Sequence, residues 1–359
     1  MKKIAVDGGN LIPYQNVSNG IERVVDSFIR EFCQKGFKNY SLNYYYFNNN
    51  PPKIIKRHNL TLRKLPMKFF ASVFLPINLT ANQDKIFLGF SGYISALTNL
   101  SGVKKILFLY DLGFIKYPQY YKNAQRLRER TNHAIYCADK IVVLSEHAKK
   151  ELLASFPRIK NSKVIRIYSG IDHLSRFSKT AIKKGKYFLF VGMIRPSKNI
   201  EALIKYFQVF LQNSADKQFK LILVGKSEAA YQKKILKMLE SLKLKKHVKF
   251  VGNVSDRKLS AYYRHACAVV NSSYEEGFCF PVLEGLAMGK TVIVNNLPIY
   301  KEYRKYFDNL QIAKDEKEFT LFMQKAAEEK KSRRKSQIAP SFTWKNFTKE
   351  LLEVIDNLA

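Results

Sequence analysis

Acidic residues are scarce in this chain of 359 residues: 29 Asp and Glu stand against 62 Lys and Arg, a formal net charge of +33. So large an excess points to anionic partners, namely nucleic acid, a phospholipid surface or phosphorylated substrates. The deficit is complete between Phe32 and Gln83, which enclose no acid at all. There Lys53, Lys56, Arg57, Arg63, Lys64 and Lys68 crowd around Leu60, Leu62, Leu65, Met67, Phe69 and Phe70. Cations interleaved with large apolar groups suit an anionic membrane interface.

Cysteine is sparse as well. Cys33, Cys137, Cys267 and Cys279 form no CxxC pair and no metal-ligand spacing. A disulfide framework and a structural zinc site are thereby excluded, and a reducing cytosol fits. Long apolar runs are missing too: the longest, 69–79, is broken by Ser72, Pro76 and Asn78 and falls short of the roughly 20 residues that span a bilayer. The opening Met-Lys-Lys leads straight into Ile4-Ala5-Val6-Asp7, which reads as a buried strand and not as a secretory signal. No short-period repeat indicates a solenoid. His133, His147, His173 and His265 show no convergent ligand spacing and read as exposed or capping histidines.

What is present is an alternation of strand-like and helix-like runs. The first half gives a strand at 4–7, a helix at 20–33 with Ile21, Val24, Val25, Phe28, Ile29 and Phe32 on one stripe, a strand at 106–110, a helix at 125–138 and strands at 140–144 and 164–167. A polar, basic stretch to Lys186 reads as a linker. The alternation then restarts, with strands at 187–191, 220–224, 248–251, 266–271 and 291–294 separated by helices at 200–212, 229–242, 257–265 and 281–288. Such βα alternation predicts parallel sheets covered by helices, hence an α/β fold of two doubly wound units. Trp344, Phe347, Leu351, Leu352 and Ile355 predict a C-terminal packing helix. The run 44–47 and the Tyr120-Tyr121 pair are expected to pack a sheet edge or meet a membrane; base stacking on nucleic acid is the less favoured reading.

In open α/β sheets ligands bind beyond the carboxyl ends of the strands. Two such loops hold concentrated chemistry. In EEGFCFPVLEGLAMG, Glu276 and Glu284 flank Gly277, Phe278, Cys279 and Phe280, and Pro281 opens a helix that Gly289 closes. Free N–H groups of that first turn, with the positive end of the helix dipole behind them, make an anion and hydroxyl site between two acceptors. This suits a polyhydroxylated, phosphorylated ligand such as a sugar nucleotide. The companion loop runs Gly192-Met193-Ile194-Arg195-Pro196-Ser197-Lys198-Asn199, and Arg195 with Lys198 is suited to clamp a diphosphate. The structural alternative is a solvated Glu276, a helix-surface Glu284 and a helix-stop Gly289.

Taken together, Gly192…Arg195…Lys198-Asn199, Val251-Gly252, Glu276-Gly277-Phe278 and Pro281…Glu284 resemble the retaining GT-B glycosyltransferases of family 4, whose E-x7-E motif the two glutamates match. The resemblance extends to Ser18-Asn19-Gly20-Ile21-Glu22-Arg23, to Tyr110-Asp111-Leu112 with Pro118, and to Ala138-Asp139-Lys140 with Ser145-Glu146. It implies a GT-B fold with two Rossmann-like domains facing each other across a cleft: 1–172, with 342–359 packing back on it, for the acceptor, and 173–341 for the nucleotide sugar. Catalytic roles fall on Arg195, Lys198 and Glu276. Glu284 is expected on the donor ribose and Glu276 on the transferred sugar, helped by amides of Gly277 to Phe280. The base is expected near Val251 and Asn253, Gly20 near the diphosphate, and Tyr110 and Asp111 on the acceptor side. No metal or other cofactor is expected. The implied partners are a nucleotide-sugar donor (GDP-mannose or a UDP-hexose), a glycan or lipid-linked acceptor and an anionic membrane surface, with the protein peripheral at the cytoplasmic face.

Three residues depart from the family pattern: Tyr110, where histidine is frequent; Cys279, where a small glycine is; and Thr291, where proline is. A catalytically inactive GT-B-like protein is one alternative reading. A nucleic-acid-binding protein on the same scaffold is another; it would need neither Glu276 nor Glu284, which repel phosphates.

Overall fold

The computed structural model describes residues 1–9, 19–47, 59–177, 185–329 and 338–358. Ser18, Lys53, Lys56, Arg57, Ala359 and positions 178–184 of the expected linker lie outside them. The chain divides into two compact units, Met1–Gly170 with Pro340–Ala359, and Ile171–Ala339.

The first unit is built on strands β1 (Lys2–Gly9), β2 (Tyr40–Tyr46), β3 (Leu60–Lys64), β4 (Ile86–Gly89), β5 (Lys104–Leu109), β6 (Lys140–Val143) and β7 (Val164–Arg166). They pair in the order β3-β2-β1-β4-β5-β6-β7, all parallel. Ile4, Ala5 and Val6 in β1 and Ile86 to Leu88 in β4 are buried, the continuous apolar pattern of strands covered on both faces. Helix Gly20–Lys35 is started by Asn19, whose side chain accepts from the Glu22 N–H at 3.0 Å, and ended by Gly36 in the left-handed region. Its apolar stripe is the one the sequence predicts, with the exception that Ile21 is exposed.

Helix Trp344–Asp356 closes this unit against its start. Lys2 Nζ meets Asp356 at 2.8 Å, and the Tyr40 hydroxyl donates to the same carboxylate at 2.6 Å. Burial, then that carboxylate, pushes the Tyr40 phenol up to about 12. Where the chain crosses the helix start, a Cβ on Gly170 would lie 2.4 Å from the Trp344 amide nitrogen. Only glycine permits that approach.

Two expectations for the acid-free segment need correction. The run 44–47 does not pack a sheet edge: Tyr44 and Tyr45 are fully buried in β2, and β3 forms the edge outside it. Nor do Leu65 and Phe70 face outward; both belong to the core. The physical reason is apolar burial, since Leu65 and Phe70 pack in one cluster with Tyr45, Leu75 and Leu79; Asp84, a buried carboxylate, accepts from Tyr45 and Asn43, each at 2.6 Å, while Arg63 donates to Asn43 at 2.9 Å. The first acid after the segment thus binds it into the fold, because a buried charge must be hydrogen-bonded or paired. Met67 and Phe69 stay exposed, at 71% and 57%, on either side of the exposed Lys68 and close to the exposed Lys64 in the chain.

The second unit repeats the architecture with β8 (Tyr187–Val191), β9 (Lys220–Val224), β10 (Val248–Gly252), β11 (Ala268–Asn271), β12 (Thr291–Asn295) and β13 (Leu310–Ala313). The order is β10-β9-β8-β11-β12-β13, again parallel. Helix Ile200–Asn213 lays Leu203, Ile204, Phe207 and Phe210 on Phe188, Leu221 and Leu223. Strand order reverses between β8 and β11, so a crevice opens beyond their carboxyl ends, where ligands bind in such sheets.

Candidate active site

The two loops that the sequence singles out leave the sheet at this switch point: 192–199 follows β8 and 272–279 follows β11. β8, β9 and β10 each end in Val-Gly, at Gly192, Gly225 and Gly252. Gly192 donates to the Val224 carbonyl at 2.9 Å and Gly225 to the Gly252 carbonyl at 3.0 Å. A Cβ at Gly225 would lie 2.0 Å from the Gly192 oxygen, and its φ is +139°. Backbone therefore packs on backbone along this rim. Val251 is half-buried there and Asn253 is exposed.

Arg195 is extended and leads into the short turn Pro196–Lys198; Asn199, at φ +50°, then redirects the chain into helix Ile200–Asn213. The loops are joined directly. The Ser272 hydroxyl donates to the Asn199 carbonyl at 2.9 Å, and the Tyr274 amide to that of Ser197 at 3.1 Å. Across this seam Lys198 Nζ meets Glu276 Oε1 at 2.7 Å, the side chains 16% and 10% exposed. The Ser273 hydroxyl donates to the same oxygen at 2.7 Å. Glu276 is therefore not a solvated loop residue. It holds an ammonium group in a partly dehydrated site, where losing either partner is costly.

Helix Phe280–Ala287 lies directly on β11 and β12, because a Cβ on Gly285 would come within 2.9 Å of Val269 Cγ2 and 3.1 Å of Val292 Cγ2. Its start is set by Cys279 at φ +56°, a conformation that favours glycine. The Cys279 sulfur sits by Asn271 Nδ2 at 3.6 Å and the Tyr300 hydroxyl at 3.8 Å. Burial pushes its thiol well up, so it stays protonated.

Glu284 is buried, not on a helix surface. Its Oε1 lies 2.9 Å from His173 Nε2, and its Oε2 accepts from the Tyr263 hydroxyl at 2.7 Å. This corrects the reading of His173 as an exposed or capping histidine: it is 8% exposed and engaged with a carboxylate. Sequence reasoning also passed over Tyr263, Ser273 and Gly225. Only Gly225 left a signal, the third Val-Gly at a strand end.

Gly192, Arg195, Lys198, Val251, Asn253, Glu276 to Phe280 and Glu284 therefore share the carboxyl edge of one sheet. Gly20, Tyr110 and Asp111 belong to the first unit. Gly20 is the first residue of its helix, and Asp111 Oδ1 accepts from the Gly113 amide at 3.1 Å. The Tyr110 hydroxyl is buried with no hydrogen-bond partner among the described residues, and burial raises its pKa.

Two doubly wound units with a polar switch-point site define the fold class of the GT-B glycosyltransferases. Solved structures agree over the whole chain. Sucrose-phosphate synthase from Thermosynechococcus elongatus superposes with a TM-score of 0.70 at 16% identity, covering 100% of this chain and 99% of that one. HepE from Anabaena, solved with UDP and glucose, gives 0.71 at 14% identity, covering 99% of each. Residues 173–338, nearly the whole of the second unit, match the family described as glycosyl transferases group 1. Among curated relatives, the O-antigen chain mannosyltransferase RfbU of Salmonella typhimurium is 31% identical over 163 residues, 45% of this chain and 44% of the relative. The serotype-specific mannosyltransferase WbdA of Escherichia coli is 27% identical over 227 residues, 60% of this chain and 27% of the relative. The matched regions thus span less than half the length of these two relatives.

Proposed function

We propose that this chain is a retaining, metal-independent glycosyltransferase of family 4 that moves a hexose from a nucleotide-diphosphate sugar to a glycan or lipid-linked acceptor of the cell envelope. The observation that carries this is the Lys198–Glu276 pair beside Arg195 at the switch point. In the reaction the bond between the sugar's C1 and the diphosphate oxygen breaks, and its electron pair leaves with the diphosphate. Arg195 and Lys198 stabilise that charge as it develops, with the amides of 277–280 as further donors. The acceptor hydroxyl attacks C1 from the same face and gives its proton to the departing diphosphate, which retains configuration. Glu276, which holds Lys198 before donor arrives, takes sugar hydroxyls, and Glu284 takes those of the ribose. The mannosyltransferase names of the relatives make GDP-mannose the first donor to test, ahead of UDP-hexoses.

The test is a panel of nucleotide sugars scored for thermal stabilisation and for hydrolysis, with and without chelator. Stabilisation by one nucleotide sugar that persists in high salt and in chelator is expected. A strict divalent-ion requirement overturns the metal-free mechanism, and ligand binding lost steeply with salt favours the nucleic-acid reading.

Membrane recruitment at the cytoplasmic face is part of the same proposal. No helix among the described residues is long and apolar enough to cross a bilayer. Lys64 and Lys68 stand close in the chain to the exposed Met67 and Phe69, and attraction to an anionic leaflet contributes roughly 1 kcal/mol per basic residue at the surface. Co-sedimentation with anionic but not neutral vesicles, weakened in Lys64→Glu/Lys68→Glu, is the expected result. Arg63 is left intact because it bonds Asn43.

A further inference from the structure

His173, Glu284 and Tyr263 form a buried polar triad from three elements: the turn Asp172–Leu174, helix Phe280–Ala287 and helix Asp256–His265. The His173 and Glu284 side chains are 5% and 6% exposed, and Tyr263 is fully buried. Each carboxylate oxygen has its own side-chain donor. His173 Nε2 stands 2.9 Å from Oε1, so that nitrogen must bear the proton, in either the neutral Nε2–H tautomer or the imidazolium. The Tyr263 hydroxyl stands 2.7 Å from Oε2, with the Pro281 carbonyl farther away at 3.2 Å. One donor would fix the position of the group; two donors on different oxygens also fix its rotation.

We infer that His173 and Tyr263 are positioning residues that hold the Glu284 carboxylate in the orientation needed to receive two neighbouring hydroxyls at once, and so make the donor site selective for a nucleotide bearing an intact ribose diol. The inference rests on the reading of Glu284 as the ribose ligand. A carboxylate offers about four acceptor positions, so an oxygen that accepts from one side chain has the capacity to accept a hydroxyl as well. A vicinal diol places its two hydroxyls so that they match the two oxygens of a carboxylate held still. A 2′-deoxyribose offers one of them and leaves buried acceptor capacity unused, the situation in which a site built for a hydroxyl rejects the analogue lacking it. A carboxylate free to rotate would meet the remaining hydroxyl with either oxygen and would discriminate less.

The experiment measures dissociation constants of GDP, UDP and their 2′-deoxy counterparts by calorimetry for the wild type and for Glu284→Gln, His173→Leu, His173→Gln and Tyr263→Phe. Pyrophosphate affinity in each variant reports on the separate Arg195/Lys198 region and on folding. The wild type is expected to prefer ribose by about 10-fold or more. Glu284→Gln should erase the preference. His173→Leu and Tyr263→Phe should lower the ribose-to-deoxyribose ratio several-fold while pyrophosphate binding persists, and His173→Gln, whose amide still donates, should recover part of it. A Glu284→Gln variant with the wild-type ratio overturns the ribose role of Glu284 and the inference with it. A ratio lost in Glu284→Gln but unchanged in Tyr263→Phe and the folded His173 variants overturns the positioning role alone.

Discussion

The two units are variations on one parallel sheet, yet they spend their polar residues differently. In the first, polar contacts bind the chain to itself: the buried Asp84 gathers Tyr45 and Asn43, and the half-exposed Asp356 gathers Lys2 and Tyr40. In the second, they converge at the switch point, as Lys198–Glu276 and His173–Glu284–Tyr263. A doubly wound scaffold therefore does not say which of its halves grips a nucleotide. The polar side chains at the carboxyl ends of the strands would have to, and the second unit gathers Lys198, Glu276 and Glu284 there.

The sharpest way to break this contrast is to remove the charges at the switch point. Lys198→Ala and Arg195→Ala are each expected to lower turnover about 10²-fold or more, the scale for one preorganised donor to a developing anion. Steady-state kinetics at saturating donor, with circular dichroism to confirm folding, checks this. Near-normal turnover in either would move the chemistry elsewhere.

Next in size is a cut through the first unit's core. Phe347 is fully buried and its ring centroid lies 6.3 Å from that of Phe108. Phe347→Ala should destabilise that unit by about 3–5 kcal/mol. Denaturant unfolding should register the loss, while nucleoside-diphosphate binding by the second unit stays within about twofold under native conditions.

Gly285→Ala tests how closely the Glu284 helix must lie on its sheet. The added methyl would sit 2.9 Å from Val269 Cγ2, and overpacking of this kind costs about 1–3 kcal/mol. A lower melting temperature together with weaker nucleoside-diphosphate binding is expected; a change in melting alone would show that the carboxylate tolerates a shifted helix.

The smallest effect belongs to Asp356. Hydrogen bonds from Lys2 and Tyr40 hold its carboxyl below the ordinary 3.8, so its contribution is present above that value and is lost as pH falls through the folded pKa. The Asp356 side chain is 51% exposed and Lys2 32%, so Asp356→Asn should cost only about 0.2–1 kcal/mol at neutral pH. The difference from wild type should shrink below pH 4, as followed by thermal melts across pH.

By itself the sequence determined the elements and the loops that matter. Apolar runs at 187–191, 220–224 and 291–294 coincide with strands β8, β9 and β12 to within a residue, because a strand buried on both faces must be continuously apolar. The strands β2, β3, β4 and β13 escaped notice because their runs are short or rich in tyrosine and charge. Loops 192–199 and 272–279 were legible because glycine, proline and charged residues cluster where strands end. Tertiary structure alone decided the partners. Nothing near His173 announces Glu284, which lies 111 positions away, and nothing between Phe32 and Gln83 announces that Leu65 and Phe70 turn inward to join the core. Periodicity and turn chemistry act over a few residues and are written locally. Burying a carboxylate requires donors from wherever the fold can bring them, and that depends on packing between elements far apart in the chain.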